Sequence, residues 1–311
     1  MIYTLTLNPA LDLELTTPEL RFDDVLRASA QRMDFGGKGF NVSHGLNALG
    51  TRNVAMGLVG GNTGNSLKSG LEGLGISTDF VQIAGETRTN ISIFNENRSH
   101  HLKINEVGPT IQPTELEALR EKVRQAVRPK DWWVLAGSLP PGISPEFYAE
   151  LVGLVQQAGA RALVDTSGEA LQFACQAGAF LVKPNQSEAE ELLQRKINTR
   201  ADAYQAVLDI YKLGVKVVVL SLAEHGAVAY DGTILWSVLS PTVSPRSPIG
   251  AGDALVAGLV WGYGRRYELQ TSLQWGVACG TASASHAGPG IGTRDEIAAL
   301  VQQVKPTQIT L

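Results

Sequence analysis

Short runs of β-branched and other apolar residues recur along the chain and predict buried strands. The runs are IYTLTL (2–7), RNVAMGLVG (52–60), WWVLAG (132–137), ALVDT (162–166), FLVKPN (180–185), VKVVVLSL (215–222) and GAVAYD (226–231). Amphipathic segments of helical length lie between them at 113–127, 144–158, 199–213 and 294–304. Because strands and helices alternate, the pattern predicts an α/β fold with a mainly parallel, doubly wound sheet and a ligand crevice beyond the carboxyl ends of its strands.

Two stretches depart from this alternation. Residues 87–106 are typical of two strands around a turn near Asn95 to Ser99, and a polar extended stretch at about 12–34 follows the first strand. Neither contains a helical pattern. We expect a single domain over residues 1–311, from which both stretches project as a small β sheet that serves as a lid, a dimer contact or both.

The amino-acid composition argues against nucleic acid and acidic membrane as binding partners. The 311 residues are 44% hydrophobic, which is enough to fill a core, and 26 basic against 30 acidic residues leave no basic surface for nucleic acid or acidic membrane. We expect a small-molecule ligand. Cys175 and Cys279 are expected to be buried free thiols. The first residues lack the pattern of a signal peptide and no membrane-spanning run occurs, so we expect a soluble cytoplasmic protein.

Two glycine clusters, FGGKGFNVSHGLNALG (35–50) and SPIGAGDALVAGLVWG (247–262), are each expected to open a helix. Neither completes the dinucleotide pattern G-x-G-x-x-G, and Gly37-Lys38 is followed by Gly39 rather than the Ser or Thr of a Walker motif. H-E-x-x-H and G-x-S-x-G are absent from the sequence. Glycines at a helix N-terminus allow an anion or a polar sugar to approach the backbone closely. The alternative for the second cluster is a glycine-bearing turn in which Asp253 caps the next helix.

The segments GGKGFNVSHGLNALG and GAGDALVAG resemble the two motifs of the ribokinase-like PfkB family of carbohydrate kinases. The resemblance continues, in the order that the family shows, through TLNPALD (6–12), GSLPPG (137–142), DTSGEAL (165–171), VKPNQSE (182–188) and SLAEHGA (221–227). It therefore covers nearly the whole chain. It implies a ribokinase-like fold and an ATP-dependent, Mg²⁺-requiring transfer of a phosphoryl group to a sugar hydroxyl.

The resemblance also implies roles for individual residues. Asp253 would be the catalytic base that accepts the proton of the attacking hydroxyl, since an alcohol is a poor nucleophile until a carboxylate takes its proton. The backbone amides of Gly250, Ala251 and Gly252 would form an anion hole for the transferring phosphate.

The remaining implied roles divide between acceptor and nucleotide. Hydroxyls of the acceptor would be bound by Asp12, the backbone of Gly36 and Gly37, Asn41 and Ser138. Position adds a further expectation: Lys38 within the glycine motif and Arg88, which opens the lid strand in a way that resembles the phosphohexose branch, would bind a phosphate already on the acceptor, together with Arg27 and Lys103. The nucleotide would be bound by Lys183, Asn185, Glu188, Ser221, Gly226 and Ala278, with Glu188 also holding Mg²⁺ through water.

Less specific alternatives stay open for these residues. Asp12 could be a turn residue and Asn41 a helix cap, the basic residues could be surface charges, and Glu188 could be solvated. The small residues of GVACGTASASHAG (276–288) fit an adenine wall or a tightly packed core helix equally well.

The chain also departs from the family pattern. Ser247-Pro248-Ile249 precedes G-A-G-D where many relatives carry Asp-Thr-x, which brings it closer to the branch that acts on phosphorylated hexoses. Ala223 stands where that branch has glycine, and Phe40 where it has a smaller aliphatic residue.

We therefore expect a kinase of a phosphorylated ketohexose, of the fructose 1-phosphate or tagatose 6-phosphate type, that forms a homodimer through the lid. The alternatives are a 6-phosphofructokinase of the minor type, a kinase of a non-phosphorylated sugar or nucleoside, and a non-catalytic sugar-phosphate sensor.

Overall fold

The computed structural model describes residues 1–244, 246, 250–286 and 290–310. Ser247-Pro248-Ile249 and the last two residues of the 276–288 segment lie outside this range. In chain order the strands are β1 (Ile2–Thr6), β2 (Ala10–Thr17), β3 (Ala30–Gly36), β4 (Val54–Gly60), β5 (Ser77–Ile83), β6 (Arg88–Asn95), β7 (His101–Asn105), β8 (Trp132–Ala136), β9 (Arg161–Asp165), β10 (Leu181–Val182), β11 (Val217–Ser221), β12 (Ala227–Tyr230), β13 (Leu235–Val238) and β14 (Thr307–Ile309).

The helices, in the same order, are α1 (Lys38–Ala48), α2 (Gly61–Gly73), α3 (Pro113–Ala126), α4 (Phe147–Gln157), α5 (Gly168–Gln176), α6 (Gln186–Leu193), α7 (Arg200–Tyr211), α8 (Ala251–Gly264), α9 (Leu269–Ala284) and α10 (Arg294–Val301). A short 3-10 helix covers Ala223–His225. Within the described ranges, no helix has the length and apolar character needed to span a membrane.

Ten of the described strands form the main sheet, in the order β14-β13-β12-β11-β10-β9-β8-β1-β4-β5. The pairs from β11 to β5 are parallel, and the pairs from β11 to β14 are antiparallel. The predicted mainly parallel sheet is therefore confirmed. Its parallel strands are rich in Val, Leu and Ala because side chains of both faces must be buried under helices.

Alternate residues of one strand reach the two hydrophobic cores on opposite faces of the sheet. In β8, Trp133 and Leu135 belong to the core that includes Leu151 of α4, whereas Trp132 and Val134 belong to the core that includes α8 and α9. This division follows from the two-residue period of a strand. It makes the fold doubly wound, with helices on both faces as predicted.

Helices α8 and α9 pack at unusually short range because glycines lie at the contact. A Cβ on Gly258 would lie 2.6 Å from the carbonyl oxygen of Trp275, and one on Gly280 would lie 3.0 Å from that of Ala251. A larger residue at either position would push the helices apart. The contact with Ala251 fixes the N-terminus of α8 against the body of the domain.

A second sheet, which we call the lid sheet, contains four described strands in the order β3-β2-β6-β7. Asp12 lies between Asp34 of β3 and Asn90 of β6, while the next position places Met33, Leu13 and Ile91 side by side. Successive side chains of a strand point to opposite faces. The lid sheet therefore has a polar face that carries Asp12 and an apolar face that carries Leu13.

Candidate active site

The carboxyl ends of β9 and β10 meet the N-terminus of α8. Asp165 is the last residue of β9 and is 1% exposed, and its Oδ1 lies 3.4 Å from the Nζ of Lys183, which directly follows β10. A Cβ on Gly252 would lie 3.7 Å from the same Nζ. A buried ammonium group therefore lies directly beside the first turn of α8.

Asp253 lies in this first turn and is 7% exposed. Its Oδ2 accepts a hydrogen bond of 2.7 Å from Nδ2 of Asn41. Burial and, secondly, the negative charge of Asp165 raise its pKa from 3.8 to about 6, against the opposing effects of Asn41, Lys38 and Lys183. A carboxylate with this pKa is ionised at neutral pH and is a stronger proton acceptor than an ordinary aspartate.

The N-terminus of α8 has the features of an anion site. Gly250 caps the helix in the left-handed conformation (φ 84°), and its carbonyl accepts the first helical hydrogen bond from Ala254 at 2.8 Å. The amides between these residues consequently have no acceptor within the helix. Apart from its chain neighbours and the backbone of its own helix, only the Nζ of Lys183 lies within 4 Å of a Cβ built on Gly252 among the described atoms. Free amides, a helix dipole, an adjacent cation and space suit a phosphoryl group.

Lys38 begins α1 after Gly37, whose φ of 134° is accessible to glycine. Its Nζ lies 2.9 Å from Asp165 Oδ1 and 3.5 Å from Glu188 Oε1. Burial acts to lower the pKa of Lys38, but the Asp165, Glu188 and Asp253 carboxylates outweigh it and raise the pKa above its ordinary value. Lys38 therefore stays charged beside the base.

Asp12 lies on the polar face of the lid sheet and accepts a hydrogen bond of 2.7 Å from Nδ2 of Asn90. A Cβ on Gly36 would overlap the Asp12 carboxylate. Burial is the main cause that raises the pKa of Asp12, with Asn90 and Lys103 opposing it. Asn90 is a site residue that sequence reasoning missed, although it lies two positions after Arg88 and thus on the same face of β6.

Several polar atoms in this region are buried without a hydrogen-bond partner among the described residues. They are Oδ1 of Asn41, Oδ1 of Asn90 and Oδ2 of Asp165. Unpaired buried acceptors are costly, so natural proteins retain few of them. These three are suited to the hydroxyl groups of a sugar and to the water shell of a cation.

The basic residues expected at an acceptor phosphate are not all brought together. Arg88 donates to the carbonyl oxygens of Glu106 (2.8 Å) and Asn8 (3.0 Å), and it lines a cavity of about 490 Å³. Lys103 on β7 acts electrostatically on Asp12. Arg27 lies exposed between β2 and β3, and it makes no hydrogen bond or ion pair with any residue in the described ranges.

Ser138 is exposed two residues after the end of β8. The preceding residue, Gly137, has a φ of 103°, and its carbonyl oxygen accepts hydrogen bonds from the hydroxyls of Tyr148 (2.6 Å) and Thr166 (2.9 Å). Two buried hydroxyls therefore fix the backbone that leads into Ser138.

Apart from Ala278, the predicted nucleotide residues lie near the carboxyl ends of β10 and β11. Asn185 and Glu188 form a capping box on α6, with the Asn185 side chain accepting from the Glu188 amide at 2.9 Å and the Glu188 carboxylate accepting from the Asn185 amide at 2.8 Å. This capping accounts for the Asn-x-x-Glu spacing. The second carboxylate oxygen of Glu188 faces Lys38, so the residue is not simply solvated.

Ser221 ends β11, and its amide donates to the carbonyl oxygen of Pro184 at 3.0 Å. Gly226 has a φ of 86°, and a Cβ there would overlap the carbonyl oxygen of Val238. Ala278 is 0% exposed inside the core that contains α8 and α9. Ala278 therefore lies in a tightly packed core helix, and its side chain has no exposed surface that an adenine base could contact.

Comparison with known proteins identifies the family of this chain. Residues 6–296 match the family described as pfkB family carbohydrate kinase. The chain is 32% identical over 285 residues to the 1-phosphofructokinase of Borreliella burgdorferi, covering 91% of this chain and 92% of that protein. It is 30% identical over 312 residues to the tagatose-6-phosphate kinase of Staphylococcus epidermidis, covering 99% and 100%.

The fold is similar to the crystal structure of phosphofructokinase-2 from Escherichia coli in complex with fructose-6-phosphate. The TM-score is 0.90 at 32% identity, and the match covers 97% of this chain and 98% of that chain. Since the family match extends over nearly the whole sequence, the chain belongs to the pfkB family of carbohydrate kinases, enzymes that use ATP as the phosphoryl donor.

Proposed function

We propose that this protein transfers the γ-phosphoryl group of ATP to a hydroxyl of a phosphorylated ketohexose, of the fructose 1-phosphate or tagatose 6-phosphate type. The observation that carries the proposal is the position of Asp253. It is a buried carboxylate with a raised pKa, in the first turn of a helix whose free amides lie beside Lys183. Base and anion site are adjacent, as an attack of a hydroxyl on a phosphoryl group requires.

In this proposal Asp253 accepts the proton of the acceptor hydroxyl as the hydroxyl oxygen attacks phosphorus. The amides after Gly250 stabilise the negative charge of the transferring group, and the ammonium groups of Lys38 and Lys183 supply the positive charge that compensates it. Asn41 holds Asp253 by its hydrogen bond and retains a free Oδ1 for an acceptor hydroxyl. Asp12 and Asn90 bind further hydroxyls from the lid sheet.

Mg²⁺ fits the same crevice through water. Glu188 and Asp165 offer carboxylate oxygens, which Mg²⁺ prefers, and Oδ2 of Asp165 has no partner among the described residues. The ion would neutralise part of the charge of the ATP phosphates. Since the capping box and Lys38 already occupy Glu188, we propose contact through water rather than direct ligation.

The acceptor's own phosphate is assigned to Arg88 and Lys103, near Asp12 on the lid sheet. Guanidinium and ammonium groups bind a phosphate dianion by charge-assisted hydrogen bonds. The Nε of Arg88 is buried without a partner in the described part of the chain, which leaves one donor free. Arg27 is exposed and makes no hydrogen bond or ion pair within the described part of its own chain. We therefore propose that Arg27 contacts an acceptor phosphate only when that phosphate is bound by the partner subunit of a dimer.

The experiment is ADP release by the purified protein across a panel of sugars and sugar phosphates. The panel contains fructose 1-phosphate, tagatose 6-phosphate, fructose 6-phosphate, free fructose and ribose. We expect a ketohexose phosphate to give the highest kcat/KM, and Arg88→Ala to raise its KM roughly ten- to a hundredfold with little effect on the KM for ATP. Equal efficiency with free fructose or ribose would contradict the proposal, and absence of turnover on all substrates would favour the sensor.

A further inference from the structure

The turn between β11 and β12 lies at the same sheet edge as the proposed nucleotide residues. It starts directly after Ser221, which forms a parallel bridge with Asn185. Neighbouring parallel strands end at one edge, so residues 222–226 border the crevice into which Lys183 and Glu188 project from the preceding strand and helix. The turn therefore forms part of the wall of the crevice.

The turn has little support of its own. Ala223, Glu224 and His225 are all exposed, and Ala223 has a φ of 50°, which a residue with a Cβ adopts at a cost. Its internal hydrogen bonds join Leu222, Ala223, His225 and Gly226 only to one another. A hydrogen bond from Ser240 to the Ala223 carbonyl is long, at 3.5 Å. An external support is needed to keep one conformation.

Arg200 provides that support from the first position of α7. Its Nη1 donates to the carbonyl oxygen of His225 at 2.6 Å, and its Nη2 donates to the carbonyl oxygen of Val238 at 2.9 Å. Its Nε and Nη2 both donate to Oγ of Ser237, at 3.1 and 2.8 Å. The planar guanidinium thus ties the end of the turn to the end of β13, a geometry that a lysine could not reproduce.

We infer that Arg200 is a positioning residue for nucleotide binding: it holds the 222–226 turn against β13 and so sets the affinity for ATP without touching it. The inference rests on the proposed function, because the turn matters only if the crevice beside it receives the nucleotide. The hydrogen bonds of the Arg200 side chain go to Ser237, His225 and Val238 and to no acceptor-site residue in the described ranges, so the acceptor side of the site is not expected to respond.

The test compares Arg200→Met, Arg200→Lys and Ser237→Ala with wild type. Ser237→Ala removes the acceptor of two of the hydrogen bonds and leaves the charge of Arg200 in place. Arg195→Met is the matched control, because Arg195 pairs with Asp209 at 2.9 Å and makes no hydrogen bond to the turn. For each variant KM is measured for ATP and for the sugar phosphate, ADP affinity by calorimetry, and thermal unfolding as a check of folding.

We expect Arg200→Met to raise the KM for ATP and the Kd for ADP roughly two- to thirtyfold, the range typical of coupling through an intervening element. Arg200→Lys and Ser237→Ala should fall between this variant and wild type, and the KM for the sugar phosphate should stay unchanged. If Arg200→Met does not fold, Ser237→Ala and Arg200→Lys carry the test.

An ATP KM within twofold of wild type in every folded variant overturns the inference, as does a parallel rise in both KM values. If the wild type is active and the variants have the same KM for ATP, only the inference about Arg200 is contradicted, and the proposed function stands. A wild type without turnover on any acceptor contradicts the proposed function instead, and the calorimetric affinities for ADP then decide the role of Arg200 independently.

Discussion

The carboxylate of Asp253 is held in an environment that disfavours its charge. It is buried, and Asp165 adds a second negative charge nearby, so its pKa rises to about 6. Lys38 and Lys183 compensate only in part. At the scale of single residues, the site therefore combines a reactive base with a cost in stability, and both consequences can be measured on the same substitution.

Asp253→Asn should lower kcat by roughly 10²- to 10⁴-fold, because the amide cannot accept the proton of the acceptor hydroxyl. Nucleotide affinity should change little, since the free amides of α8 and the two lysines remain. The measurements are ADP release under saturating substrates and ADP binding by calorimetry. A folded variant with near-normal turnover would exclude Asp253 as the base.

The same substitution should stabilise the protein above pH 6. The pKa of Asp253 is higher in the folded state than in the unfolded state. The stability linked to its protonation is therefore fully present below about pH 4 and is lost as the pH rises through 6. Above pH 6 the free energy of unfolding is lower by roughly 3 kcal/mol. Asparagine removes this cost and leaves Asp165 and Glu188 facing two ammonium groups. Thermal unfolding should show a higher midpoint than wild type at pH 8 and a much smaller difference at pH 4. A lower midpoint at pH 8 would contradict this.

The pH dependence of turnover should show the same group. Because Asp253 acts in its ionised form, kcat/KM should fall about tenfold per unit below pH 6. A sugar phosphate also titrates near pH 6, so wild type alone is ambiguous. Asp165→Asn distinguishes titration of Asp253 from titration of the substrate. The substitution removes a charge that raises the pKa of Asp253, so the acidic fall of kcat/KM should move to lower pH. A fall caused by the phosphate of the substrate would stay at the same pH.

Sequence analysis located Asp253, Lys38 and Lys183 because they stand inside motifs whose glycines and spacing are visible along the chain. It missed the role of Asp165, although the segment that contains it was part of the resemblance. The importance of Asp165 arises from its depth and from two lysines that are 127 and 18 positions away. Burial and ion pairing between residues so far apart in sequence depend on the folded chain, so no local sequence pattern predicts them.

At the scale of elements, short apolar runs predicted the strands that are buried on both faces, and the helical hydrophobic period predicted helices with one buried and one polar side. Helix α3, for example, spans Pro113–Ala126 against a predicted 113–127. The sequence pattern does not distinguish an adenine wall from a core helix at α9, because most residues of this helix are buried and their small side chains show no amphipathic period. The same patterns do not predict β13, which pairs with β12 across a short turn, or β14, whose pairing with β13 joins segments as far apart in sequence as Leu235 and Ile309.

The 3-10 helix before Gly226 allows a test of backbone conformation at the element scale. Ala223 has a φ of 50°, which costs an alanine about 1–2 kcal/mol relative to glycine's freedom. Ala223→Gly should therefore keep or raise the unfolding midpoint. Ala299→Gly, at an exposed position of α10, is the control and should lower stability by about 1 kcal/mol. Equal losses in the two variants would show that the turn gains nothing from glycine.

At the scale of the whole molecule, the lid sheet has an apolar face without enough cover in one chain. Met33 is 51% exposed, Leu102 41% and Ile104 52%, and all three share the face of Leu13. The sequence predicted strands in both stretches because their alternation is local. It did not predict that β2 pairs in parallel with β6, since that register depends on two segments 78 positions apart.

This uncovered face supports the proposal that the protein is a dimer through its lid sheets, since a small sheet with one apolar face is marginal alone and is stabilised when a second copy covers it. Ile104→Lys places a charge within the face and should convert a dimer into a monomer, and turnover should fall because the lid that carries Asp12 loses its support. Leu74→Lys, at a 41% exposed residue after α2, is the matched control and should remain dimeric. Sedimentation velocity measures the state and ADP release the activity. A wild type that sediments as a fully active monomer would rule out the dimer, and an Ile104→Lys variant that stays dimeric would place the interface on another surface.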